Sequence, residues 1–166
     1  MIIIGIDPGS YKTGWGVIET RGSVLRHLGS GVIGIPKNQE LSLRLEAIYN
    51  NLTKVVERFR PEEGAIEEVF YCKNAKSALV LGHARGVALL SLKEGGCRRL
   101  YQYSTRKIKM STAGVGSADK RQVQHMVRII LGLKSSFSSE DESDALASAI
   151  CHAHNKGNIM KEIKEI

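Results

Sequence analysis

The opening residues constrain the fold more than any other stretch: Ile2, Ile3, Ile4 and Ile6 make an apolar run that stops at Asp7-Pro8-Gly9. A short isoleucine-rich run of this kind reads as a strand buried on both faces. Pro8-Gly9-Ser10 supplies turn chemistry and residues 13–19 a second strand, so the chain opens as a hairpin. A third strand is expected within residues 23–35, where Val24, Leu25, Val32 and Ile33 surround a Gly29-Ser30-Gly31 break. An antiparallel hairpin excludes a purely parallel sheet.

The pattern then changes period. Leu41, Leu45, Ile48, Leu52, Val55, Val56 and Phe59 follow helical spacing, and Pro61 ends the helix. A strand is expected over residues 64–70. Asn74 then caps a long helix over 75–93, so rich in Ala, Leu and Val that one face needs the sheet and another a partner subunit. Residues 97–103 have strand character, and 106–110 are a basic stretch leading into Gly114-Val115-Gly116. Ser117 is positioned to cap a helix over 118–131 with Asp119 in its first turn. Residues 133–139 read as an exposed serine-rich loop, and a last helix spans 140–154 with a stripe of Ala145, Leu146, Ala149, Ile150 and Ala153. The order describes an α/β domain over residues 1–156, a mixed five-stranded sheet flanked by helices, followed by a charged tail at 157–166.

Composition narrows the function class. A chain of 166 residues can bury a core without disulfides, and its net charge of +7 favours a polyanionic partner such as nucleic acid. Cys72, Cys97 and Cys151 are odd in number, widely spaced and without a C-x-x-C pair, as reduced thiols in a cytoplasmic protein would be. The apolar start ends too early for a signal segment, and no run approaches bilayer length, so no membrane partner is expected.

Chemistry concentrates in the acids. Asp7 terminates a hydrophobic strand at the sheet end, where it either caps the Pro8-Gly9 turn or faces a site. In Ala65-Ile66-Glu67-Glu68-Val69-Phe70 successive side chains point to opposite faces, so only one of Glu67 and Glu68 can share that site, and the local pattern does not choose. Glu140, Asp141, Glu142 and Asp144 open the final helix, where acids also serve the helix dipole. Asp141 and Asp144, three apart, can converge on one point, as can Glu140 and Asp144. Carboxylates gathered without matching lysines call for a hard divalent cation, and Mg²⁺ with its waters suits phosphodiester hydrolysis. Arg106, Lys107, Lys109, Lys120 and Arg121 form a basic set suited to phosphate. Phe70 or Tyr71 can stack on an opened base, or Phe70 can simply be core. Cys151, His152 and His154 crowd one helix end without a second cluster and read as structural rather than as a zinc site.

Gly5-Ile6-Asp7-Pro8-Gly9-Ser10 with Thr13-Gly14, Ala65-Ile66-Glu67 through Gly82-His83-Ala84-Arg85-Gly86, Gly114 to Gln124, and Asp141-Glu142-Ser143-Asp144-Ala145-Leu146-Ala147 together resemble the RuvC family of bacterial Holliday junction resolvases over nearly the whole chain. The resemblance implies a ribonuclease H-like fold, a homodimer, and nicking of two symmetry-related strands of a four-way DNA junction in recombination and repair. It selects Asp7, Glu67, Asp141 and Asp144 as catalytic metal ligands, for two Mg²⁺ per subunit that Mn²⁺ can replace. It further implies that Lys109 and Lys120 sit near the scissile phosphate, that Phe70 touches junction bases, and that branch-migration machinery is a partner. Lys107 and Arg121 join the DNA-binding set. Glu68 and Glu142 stand where many relatives have neutral residues.

Three other readings compete. An actin-like ATPase shares only Gly5–Gly9 and needs a second phosphate loop and a longer chain. A ribonuclease H-like RNA nuclease lacks the segments at 75–93 and 114–124, and a binding module has no need of four acids.

Overall fold

The computed structural model describes residues 1–68, 74–156 and 164–166. Its centre is β1 (Ile2–Asp7), paired antiparallel with β2 (Lys12–Arg21) on one side and parallel with β4 (Glu63–Glu67) on the other. β3 (Val24–Gly34) extends the antiparallel side and β5 (Arg99–Tyr103) the parallel side, giving five principal strands in the order β3-β2-β1-β4-β5. After the helices, β6 (Lys164–Glu165) adds two residues antiparallel to β5, and the Ile166 N–H donates to the Leu100 carbonyl at 2.9 Å.

Helices cover both faces. α1 (Leu41–Phe59) and α2 (Ala75–Glu94) pack together on one, where Ile4, Ile6, Val17 and Ile66 meet Ile48, Leu52, Val56, Ala84, Ala88 and Leu92. α3 (Thr105–Ala113), α4 (Lys120–Leu131) and α5 (Glu140–Asn155) cover the other, where Ile3, Ile18, Ala65 and Tyr101 meet Ile108, Val127, Leu146 and Ile150. The split follows strand alternation: Ile4 and Ile6 look towards α1 and α2, while Ile3 looks towards α5. The isoleucine run is therefore buried on both faces, as its composition requires.

Three details depart from the sequence reading. The Gly29-Ser30-Gly31 segment does not interrupt β3, which runs through it and absorbs its irregularity as a bulge at Leu28, skipped in the register between Val17 and Ile18. The basic stretch at 106–110 is helical: Ser104 caps α3 by accepting from the Lys107 N–H, and Gly114 closes it in a left-handed conformation. Asp119, not Ser117, caps α4, in a reciprocal capping box with Gln122 that contributes about 1 kcal/mol. Asn74 caps α2 as expected, accepting from Lys76 and Ser77.

Candidate active site

Glycines let α5 lie unusually close to the sheet. A Cβ on Gly5 would stand 2.0 Å from the Ala145 carbonyl oxygen, and one on Gly16 would stand 2.6 Å from Leu146. A Cβ on Gly14 would stand 1.9 Å from the Asp141 carbonyl oxygen. Gly5 pairs with Gly16 and Asp7 with Gly14 across β1 and β2, so the backbone of α5 sits over a flat glycine patch whose neighbour is Asp7. Alternation along β1 turns Asp7 to the same face as Gly5, towards α5.

Glu67 reaches this face from the neighbouring strand. Ala65, two residues earlier, packs in the α5-side core, and Glu63 bonds to His152 of α5 at 2.8 Å, so the odd positions of β4 face α5. That phase decides between Glu67 and Glu68: the Glu67 carboxylate accepts from the Thr105 hydroxyl at the start of α3, whereas Glu68 acts electrostatically on Arg85 of α2. Arg85 also donates to the Glu67 carbonyl and to Gln102, each at 2.7 Å, which fixes the end of β4. Thr105 did not stand out in sequence, hidden in the unrecognised helix, and Arg85 was legible only as part of the Gly82–Gly86 motif, without a role of its own.

Asp7, Glu67 and Asp144 line one cleft of about 310 Å³, with Thr105, Lys109 and Lys120 among its other walls. Its electrostatics are strained. Burial, then repulsion from Asp144, Glu67 and Asp141, pushes the Asp7 carboxyl up to about 7. Burial pushes Asp144 up to about 6 despite the opposing charge of Lys120. Asp141 acts on both at a distance and accepts from the Ser139 hydroxyl at 3.0 Å, without lining the cleft. Oxygen-only, mutually repelling donors of this kind suit a hard cation such as Mg²⁺. Among the described residues, no three acidic, histidine or cysteine side chains are already gathered closely enough to enclose an ion.

The remaining acids of α5 have other partners. Glu140 is exposed and pairs with Lys120 at 2.9 Å, the same lysine that stands 3.8 Å from Asp144. Glu142 is buried and turned to Ser30 and Ser138. The basic set divides as well: Lys109 and Lys120 line the cleft, Arg121 lines a larger groove of about 790 Å³ beside α4, and Lys107 lies near Cys151, whose thiol burial pushes up to about 11 against the opposing charge of that lysine. Phe70 lies outside the described residues.

Cys151, His152 and His154 do not meet. His152 is fully buried, takes the Tyr103 hydroxyl on Nδ1 at 2.6 Å and approaches Glu63 through Nε2 at 2.8 Å, while Cys151 and His154 turn to Ser111. Burial holds the imidazole below its ordinary pKa, and with the Tyr103 hydroxyl donating to Nδ1 the ring donates from Nε2 to the Glu63 carboxylate.

No helix among the described residues is long and apolar enough to cross a membrane. The family model for the crossover junction endodeoxyribonuclease RuvC matches residues 3–152. The chain is 44% identical over 161 residues to that endonuclease from Chloroflexus aggregans, covering 97% of this chain and 98% of the relative. It is 48% identical over 160 residues to the one from Pseudoalteromonas translucida, covering 96% and 90%. The structure of T. thermophilus RuvC in complex with a Holliday junction substrate superposes with a TM-score of 0.90 at 35% identity, over 100% of this chain and 99% of that one. The chain therefore belongs to the RuvC family of crossover junction endodeoxyribonucleases, Holliday junction resolvases that are typically metal-dependent.

Proposed function

We propose that Asp7, Glu67, Asp141 and Asp144 form the metal-holding, catalytic set with which this resolvase nicks a four-way DNA junction in recombination and repair. The observation that carries this reading is the single cleft in which Asp7, Glu67 and Asp144 face Lys109 and Lys120. Asp141 belongs with them through its charge, which raises the pKa of both aspartates. Two Mg²⁺ per subunit, replaceable by Mn²⁺, would be held by these carboxylates and would supply a lowered water pKa and neutralisation of the reacting phosphate. Lys109 and Lys120 add positive charge where negative charge grows in the transition state. Lys107 and Arg121, outside the cleft, hold flanking phosphates, which positions the junction without reading its sequence. Phe70 stacks on bases opened at the branch point.

A second copy supplies the second cut. α2 exposes Leu79 and Leu90, 67% and 52% accessible, and an added Cβ on Gly82 or Gly86 between them would meet nothing within 4 Å. These positions follow helical spacing along one face, bare of bulk, where a partner helix can approach closely. A homodimer joined there carries two clefts for two symmetry-related strands, in the bacterial cytoplasm and alongside branch-migration machinery.

The test compares the parent protein and Asp7→Asn on a four-way junction, a duplex and an RNA–DNA hybrid, with and without Mg²⁺. The parent nicks only the junction and only with metal, and Asp7→Asn binds it without cutting. Full activity of Asp7→Asn, or cutting in EDTA, overturns the reading.

A further inference from the structure

Glu142 stands in the first turn of α5 between Asp141 and Asp144, yet it serves neither the cleft nor the exposed helix N–H groups. Its Oε1 accepts from the Ser30 hydroxyl of β3 at 2.6 Å, and its Oε2 accepts from both the backbone N–H and the hydroxyl of Ser138 at 2.7 Å. Ser30 in turn contacts His27 Nε2 at 2.8 Å. With Ser30 donating to Glu142, the imidazole must be the donor to Ser30. Every close partner of this carboxylate is thus a donor, and it is only 9% exposed. In an ordinary capping box the acid at this position returns to the N–H of the capping residue, here Ser139. Glu142 instead takes the N–H one residue earlier, and so ties down the loop that precedes the helix.

We infer that Glu142 is a positioning residue, a clamp that joins β3 through Ser30 and the 133–139 loop through Ser138 to the first turn of α5, and thereby sets Asp141 and Asp144 for metal. The path to a proposed ligand is short. Ser138 is held by Glu142, and the next residue, Ser139, donates its hydroxyl to Asp141 Oδ2 at 3.0 Å and caps the helix at the Glu142 N–H. Sideways movement of the turn is also restrained, because Ser30 pairs with Gly16, over which Leu146 packs. The buried apolar side chains of α5 begin only at Ala145; before it the Asp141 backbone rests on Gly14, and these polar contacts add side-chain restraint to the turn that carries Asp141 and Asp144.

This inference rests on the proposed metal site, and the test separates the two. Binding of MnCl₂ alone is measured by calorimetry for the parent, Glu142→Gln, Ser30→Ala, Ser30→Thr and Asp7→Asn, together with junction binding in EDTA and thermal melting. Glu142→Gln puts an amide N–H against a hydroxyl or N–H donor, and Ser30→Ala removes one donor from β3. Both are expected to weaken Mn²⁺ binding about tenfold, as residues that orient metal ligands from behind do, with junction binding in EDTA unchanged. Ser30→Thr, which keeps the hydroxyl, restores it. Parent-like Mn²⁺ affinity in both Glu142→Gln and Ser30→Ala, with Asp7→Asn impaired, overturns the clamp alone. Parent-like affinity in Asp7→Asn overturns the metal site and the clamp with it. Should Glu142→Gln fail to fold, Ser30→Ala and Ser30→Thr carry the comparison.

Discussion

The carbonyl oxygen of Asp141 occupies the space in which any side chain at Gly14 would have to stand, 1.9 Å from the position of its Cβ. Gly14 is also the cross-strand partner of Asp7, so one glycine fixes how closely the two acids approach. Replacing it with alanine must lift the first turn of α5. Gly14→Ala is expected to cost about 1–3 kcal/mol of stability and to abolish Mg²⁺-dependent nicking while the melted fraction at assay temperature remains small. Thermal melting beside a nicking assay checks both.

The raised pKa values of Asp7, about 7, and Asp144, about 6, predict how metal and pH interact. Between the ordinary carboxylate range and pH 7 the metal-free folded protein holds more protons on these groups than the unfolded chain does. Their contribution therefore favours folding at low pH and is lost as pH rises through that window. A cation that binds the ionised acids reverses the loss. The gain in melting temperature on adding Mg²⁺ is expected to be small at pH 5 and largest near pH 8, and scanning fluorimetry across that range tests it. An increment that shrinks as pH rises would contradict the assignment.

Lys109→Ala and Lys120→Ala should lower the cleavage rate more than junction affinity, because a cation beside the reacting phosphate matters most as charge develops. The exposed Lys120–Glu140 pair contributes little to stability, so Lys120→Ala should melt like the parent. Single-turnover rates and junction titrations separate the effects, and equal losses in both would reduce the lysines to ordinary phosphate contacts.

Glu140→Gln and Glu68→Gln should remain active within a few-fold. Glu140 points to Lys120 at the surface, reaching Asp144 only through its charge, and Glu68 lies on the Arg85 side of β4, so neither lines the cleft. Loss of nicking in either variant, with normal junction binding, would reopen which acids hold the metal.

The proposed dimer face gives a direct expectation. Leu79→Glu with Leu90→Glu places charge on the exposed stripe of α2 without touching its buried residues Ala84, Ala88 and Leu92. The double variant should be a folded monomer by light scattering and should lose paired nicking of the junction. A dimer of unchanged stability would place the interface elsewhere.

What could be read from sequence followed the strength of the local pattern. β1 and α1 were legible because an isoleucine-rich run and a nineteen-residue helical stripe leave few alternatives. α3 was not, since in nine residues it buries only Ile108 and Thr112, too few to show a period among its lysines. Asp119 and Ser117 are both good caps, and only the return contact from Gln122 separates them. Glu67 and Glu68 are equivalent by apolar neighbours, and the choice belongs to α3 and α5, which come far later in the chain. The pairing of Glu142 with Ser30, 112 residues apart, has no local signature.

The glycines under α5 also act as a ruler. Hollows at Gly5, Gly14 and Gly16 receive Ala145, Asp141 and Leu146 respectively, so the helix has one axial setting against β1 and β2. A single residue inserted within α5 after Asp144 would rotate everything beyond it by about 100° and present bulk where the sheet accepts only backbone. The same insertion at 134–136, ahead of the Ser138 contact, lengthens an exposed loop and leaves the setting intact. Length variation among descendants of this chain should therefore accumulate before Ser138 and be purged after Asp144.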